Sequence, residues 1–164
     1  MRPVLLVLLL TSFVGGTPAS AAAVPPERFK FEPSQFTIGE VCDFDVEYAE
    51  VRVHGNGLVF FDASGDVRKT IISGNFVATL VNAATGTSLT LNISGQFVIT
   101  PNPDGSQILV AHGRNLFFTQ VPEPFFRFHR GRAVLTITGP EEGFGLVLDE
   151  VRGKGFDVCE ALAA

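Results

Sequence analysis

The sequence predicts an all-β domain: a single antiparallel, mostly up-and-down β-barrel of about eight strands. Three observations carry this reading. Apolar and polar residues alternate with a period of two along much of the chain, the spacing of half-buried strands. Clusters of Gly, Pro, Asn and Asp break the alternation repeatedly, as hairpin connections do. Residues 70–100 read as one hairpin whose arms share a phrase, Ile72-Ser73-Gly74-Asn75-Phe76-Val77 and Ile93-Ser94-Gly95-Gln96-Phe97-Val98.

A turn around Ala84-Thr85 sets Leu80 opposite Leu89, Ala78 opposite Leu91, Phe76 opposite Ile93 and Ile72 opposite Phe97. A one-residue slip would turn one arm's apolar set outward, so the match is informative. Gly74 falls opposite Gly95, and facing glycines let a sheet bend sharply. Arms of about 12 residues exceed the usual 5–6, which favours a barrel over a sandwich.

The chain begins with Arg2, an apolar run from Val4 to Leu10, and Ala19-Ser20-Ala21, the pattern of a cleaved export signal over residues 1–21. A cut after Ala23 fits nearly as well. The run is too short to span a bilayer as a helix, which takes ~20 residues. Residues 22–35, with Pro25, Pro26 and Pro33, read as an extended arm, and 36–164 as the barrel domain. Cys42, Phe44, Val46 and Tyr48 alternate with Asp43, Asp45 and Glu47 in a first strand. A short apolar strand covers 58–61, followed by a turn at 62–66. Beyond the central hairpin, a strand at 106–111 follows the Pro101–Gly105 turn. Segments 125–129 and 132–138 read as a hairpin around Arg130-Gly131, and 144–151 and 156–159 close the chain. His54-Gly55-Asn56-Gly57 and Gly153-Lys154-Gly155 read as turns.

Composition bounds the function. At 164 residues, 46% hydrophobic and 18% charged, the chain is no disordered segment. A net charge of -5 gives no overall basic field for nucleic acid or an anionic bilayer. The two cysteines of an exported chain form a disulfide by default, here Cys42 to Cys159, joining the first and last strands across the barrel seam. Nine arginines against three lysines, with plentiful Ala and Gly, hint at a GC-rich bacterial source. Sixteen Phe with one Tyr and no Trp argue against a sugar-binding surface and suit a filled core or a lined cavity.

Catalytic and cofactor motifs are absent: no G-x-S-x-G, H-E-x-x-H, P-loop or Rossmann fingerprint occurs. His54, His112 and His129 are isolated, and a zinc site needs them to converge in space. Asp43, Asp45 and Glu47 offer calcium ligands or, more simply, a solvated strand face. Glu141-Glu142 are solvated turn charges. The basic cluster from Arg127 to Arg132 makes Arg127, Arg130 and Arg132 the candidate anion-binding residues, because guanidinium forks grip oxyanions. The competing account is a hairpin tip guarded by charge.

The export signal, the Gly-centred I-S-G-x-F strands and the final Gly155-Phe156-Asp157-Val158-Cys159 together resemble a group of small secreted actinobacterial proteins of unassigned function. In shape alone the chain is similar to calycin-like and allene-oxide-cyclase-like barrels, and fold does not imply function. The resemblance carries over no functional residues. The expectation is a secreted, non-catalytic protein, without cofactor or metal, binding a small apolar or amphipathic ligand or a surface partner. The alternatives are a barrel-interior enzyme of cyclase, isomerase or lyase type, or a structural protein of the cell envelope.

Overall fold

The computed structural model describes residues 24–120, 122–138 and 145–164. The expected leader with its cleavage site, and Glu141-Glu142, lie outside them. In chain order the strands are β1 Glu27–Lys30, β2 Gln35–Ile38, β3 Val46–Phe61, β4 Val67–Asn82 and β5 Ser88–Asn92. They continue with β6 Gly95–Pro101, β7 Gln107–Thr119, β8 Phe125–Ile137 and β9 Leu146–Asp157, and a helix α1, Val158–Ala163, follows. One antiparallel sheet runs β1-β3-β4-β6-β7-β8-β9, with β2 also on β3 and β5 also on β4. The all-β antiparallel class is as expected.

The ring of hydrogen bonds that an up-and-down barrel needs is not completed. Among the described residues β9 pairs only with β8, and β1 and β2 only with β3. Alternation reports which face of a strand is buried and carries no information about which edges meet. The central hairpin has the predicted register, with Leu80 on Leu89, Ala78 on Leu91 and Ile72 on Phe97. Its second arm is cut in two at Ile93-Ser94: β5 stays with the end of β4, while β6 continues the main sheet.

Several glycines expected in turns lie inside strands. Gly55 and Gly57 are in β3, Gly153 and Gly155 in β9, and Arg130-Gly131 is the middle of an unbroken β8. Register explains them. Gly55 pairs with Gly74, Gly95 with Gly113, Gly113 with Gly131 and Gly131 with Gly153. The frame that pairs Ser73 with Gln96 brings Gly74 beside Gly95. Six glycines thus form one line across the sheet. A Cβ at Gly131 would fall on the carbonyl oxygen of Arg152, and one at Gly153 on that of Arg130. Both residues have a positive φ that L side chains rarely adopt, 145° and 137°.

The sheet folds over along this line. Thr119 pairs with Phe125 at one end of β8, and Leu146 with Ile137 at the other. A straight strand of 13 residues would hold them roughly 40 Å apart. Instead the Leu146 N–H donates to Thr119 Oγ1 at 3.2 Å, and the rings of Phe97 and Phe117 come within 6.3 Å. The ends of β7 and the beginning of β8 therefore lie back over the rest of the sheet.

Two cores result, on the two faces of the folded-back flap. Its inner face puts Phe117 and Phe125 on Ala111, Ala133, Leu135, Leu109, Leu146 and Leu148. From its outer face Phe126, Leu116 and Phe128 meet Val46, Tyr48, Leu80 and Leu91 of β3–β5, with Val158 and Leu162 of α1. Asp157 caps α1 by accepting the Glu160 N–H at 3.0 Å. The disulfide joins Cys42 to Cys159 with 5.5 Å between their Cα atoms. The pairing is as expected, although Cys42 precedes β3 and Cys159 sits in α1 rather than in strands. It ties the β2–β3 edge to the chain leaving β9. Three turns share one device, a side-chain oxygen of Asp62, Asn82 or Asp104 accepting backbone N–H groups two residues on.

Two outcomes follow. Gly131→Ala is expected to cost about 3 kcal/mol or more in denaturant unfolding, whereas Gly86→Ala, at a positive-φ turn with open space around it, costs about 1 kcal/mol. Cys42→Ser should lower stability by about 4–5 kcal/mol, given the 117-residue separation, and reducing agent should destabilise the wild type equally.

Candidate functional site

The fold-back brings the tip of β7 against the outer edge strand. Phe36, Thr37, Ile38 and Gly39 from β2 and its exit form one wall of a groove of about 340 Å³. Phe118, Thr119 and Gln120 form the second, and Ile137, Gly145 and Leu146 the third. Gln120 clamps the walls together by donating from Nε2 to the Gly39 carbonyl at 2.9 Å. Phe36 and Phe118 stand at the rim, 43% and 37% exposed, which is high for aromatic rings within a folded sheet.

An aromatic run links this rim to the interior. Phe36 lies 4.7 Å from Tyr48 and 6.1 Å from Phe118, ring to ring, and Phe118 lies 5.7 Å from Phe126. Beneath Phe36, the Tyr48 hydroxyl donates to Glu50 Oε1 at 3.0 Å. The other Glu50 oxygen accepts from the Ser34 N–H and hydroxyl, fixing the start of β2. Burial, reinforced by the charge and hydrogen bond of Glu50, pushes the Tyr48 phenol well above its ordinary range.

The candidate anion-binding arginines do not all share a face. Residues opposite each other in antiparallel strands project to the same side. Arg130 has Arg114 on one flank and Lys154 on the other; Arg132 has His112 and Arg152. Arg127 has the other parity, between Phe117 and Asp157. The structure thus removes Arg127 from the cluster and adds Arg114, Lys154, Arg152 and His112. These stand on the outer side of the crease. Glu150 takes up Arg132 at 2.8 Å and also Arg152, and the Arg132 hydrogen bond holds its carboxyl below the usual carboxylate range. Arg114, Arg130 and Lys154 have no ion-pair partner among the described residues.

The three histidines do not converge. His54 pairs with Asn75, His112 with Gln96 and Arg132, and His129 with Asn115 and Gly155. Among the described residues no group of three or more His, Cys, Asp or Glu is placed to hold a metal ion. His129 and Asn115 are both buried at the inner angle of the crease, and none of their side-chain nitrogen or oxygen atoms finds a hydrogen-bond partner among the described residues. They lie outside the groove lining. Asp43 and Asp45 precede β3, and only Glu47 belongs to it.

Sequence reasoning missed the groove, because Phe36 and Phe118 are far apart in the chain and each looks like any strand phenylalanine. Arg114 and Arg130 carried a readable signal, since they stand equally far from Pro122 on the two arms of a hairpin.

The Tyr48 environment sets a pH dependence. A phenol raised in the folded state adds stability that is fully present below its ordinary value of about 10 and is lost as pH climbs through the folded value. Thermal melts should therefore fall above pH ~10, and Tyr48→Phe should flatten that limb.

Comparison with protein-family models, curated proteins and solved structures finds no match to this chain.

Proposed function

We propose that this is an exported, non-catalytic binding protein that takes a small amphipathic ligand in the groove between β2 and the folded-back tip of β7. The observation that carries this reading is the pair of exposed rings, Phe36 and Phe118, flanking a concave apolar floor of Ile38, Ile137 and Leu146. Small-molecule sites are concave, mostly apolar and about 300–1,000 Å³, with a few polar groups that orient the ligand. Here Thr37, Thr119 and Gln120 supply the polar groups. Among the described residues the lining holds no acid, base or thiol, which favours binding over chemistry. Export is supported by the leader pattern and by a disulfide that an oxidising compartment maintains. In this reading the coiled sheet works as an incompletely closed barrel, and its unpaired seam is the ligand entrance.

Dansyl-undecanoic acid tests the reading. Its fluorescence should rise saturably with protein. Phe118→Ala should weaken binding about tenfold or more, since an aromatic side chain removed from a contact forfeits ~1.5–3 kcal/mol. Phe36→Ala, which removes the facing ring, should weaken binding to a similar extent with the disulfide intact. Saturable binding indifferent to both substitutions would place the ligand elsewhere and sink the proposal.

A further inference from the structure

The basic row across the crease is a second surface, independent of the groove. Arg114, Arg130 and Lys154 stand side by side on β7, β8 and β9, directly opposite one another in the ladders. Like charges in that relation repel and destabilise a sheet. Charge that guards an edge against aggregation explains only Lys154, since β9 is the edge and β7 and β8 are interior strands. The row next to it, Arg132 and Arg152, is answered by Glu150. In a chain of net charge -5, three adjacent cations without an ion-pair partner among the described residues form a local reversal of sign.

We propose that this row binds a linear polyanion, a chain of closely spaced phosphate or sulfate groups, laid across β7–β9 along the outer side of the crease. Neighbouring strands are ~4.8 Å apart, so the three side chains are strung out over roughly 10 Å. They sit on the convex side of a fold, where long side chains splay apart. That suits successive oxyanions along a chain better than a single anion in a pocket. The row continues toward β3 in the exposed Asn75 amide, whose Oδ1 accepts the Ser94 hydroxyl at 3.1 Å and whose Nδ2 is a donor.

Short-chain inorganic polyphosphate is the probe, titrated calorimetrically at low salt against inorganic phosphate at matched phosphorus. Polyphosphate should bind more tightly than phosphate, and added salt should weaken it, because exposed charges are screened within ~10 Å at 0.1 M. The double variant Arg130→Gln, Lys154→Gln should lose about tenfold or more in affinity. Glu150→Gln, which releases Arg132 and Arg152, should gain about threefold. Both variants alter exposed or half-exposed charges, and unchanged circular dichroism and melting verify the fold. The proposal fails if polyphosphate does not bind, if phosphate binds as tightly, or if the double variant binds like wild type. Binding to vesicles rich in anionic lipid but not to polyphosphate would overturn it in favour of a membrane surface.

Discussion

Backbone touching backbone along one line of glycines is the constraint on which the rest of this protein depends. At Gly74 a Cβ would lie 2.5 Å from the Gly55 Cα, and at Gly113 it would lie 3.0 Å from the Gly95 Cα. Such approach has no room for any side chain. The crease cuts each long strand into two arms and reverses the direction of β7 and β8. It thereby gives the flap a core on each face, and it carries Phe118 to Phe36. Each strand glycine is worse than alanine by about 0.5–1 kcal/mol, so the line costs about 3–6 kcal/mol. The disulfide, at about 4–5 kcal/mol, is of the same size. A covalent tie between the two ends of a sheet that does not close by hydrogen bonds fits that need.

What the sequence disclosed follows the range of each signal. The β4–β5–β6 register was readable because both arms carry the same phrase, and a slip would have exposed Leu80 and Leu91. The cysteine pair was readable because only two cysteines exist. The crease is half readable: Gly74 and Gly95 show it, while Gly131 and Gly153 read as turns. Locally a crease glycine and a turn glycine are identical. Only the ladder separates them. The open edge was not readable at all, since period two specifies faces.

The same distinction governs the sites. Arg130 and Arg132 were legible as neighbours in the chain, but Arg127 is removed by strand parity, and Arg114 and Lys154 arrive only through pairing. The groove is built from the ends of four strands, so nothing in any one segment announces it. The buried pair Asn115 and His129 has a comparable origin. Each lies two residues from a crease glycine, at the angle where the sheet folds back. An unpartnered buried polar group costs ~1–3 kcal/mol. The close backbone contacts of the crease therefore lie beside buried polar atoms that have no hydrogen-bond partner among the described residues.

The glycine line also limits how this chain can change length. Gly113 and Gly131 stand equally far from Pro122, and the Gly74–Gly95 and Gly95–Gly113 pairs are matched in the same way, whereas the β3–β4 and β8–β9 ladders each absorb one extra residue at a register shift, beside Phe61 and Leu135. A residue inserted in one arm and not absorbed by a bulge would push its glycine out of line and drive a side chain into the facing backbone. The same residue added at the hairpin tip would leave both glycines in register. Length variation in this fold is therefore confined to tips, to mirrored pairs with one residue in each arm, or to bulges such as those beside Phe61 and Leu135. The architecture behaves as a ruler folded at fixed marks, and its relatives are to be sought by the spacing of the marks rather than by what lies between them.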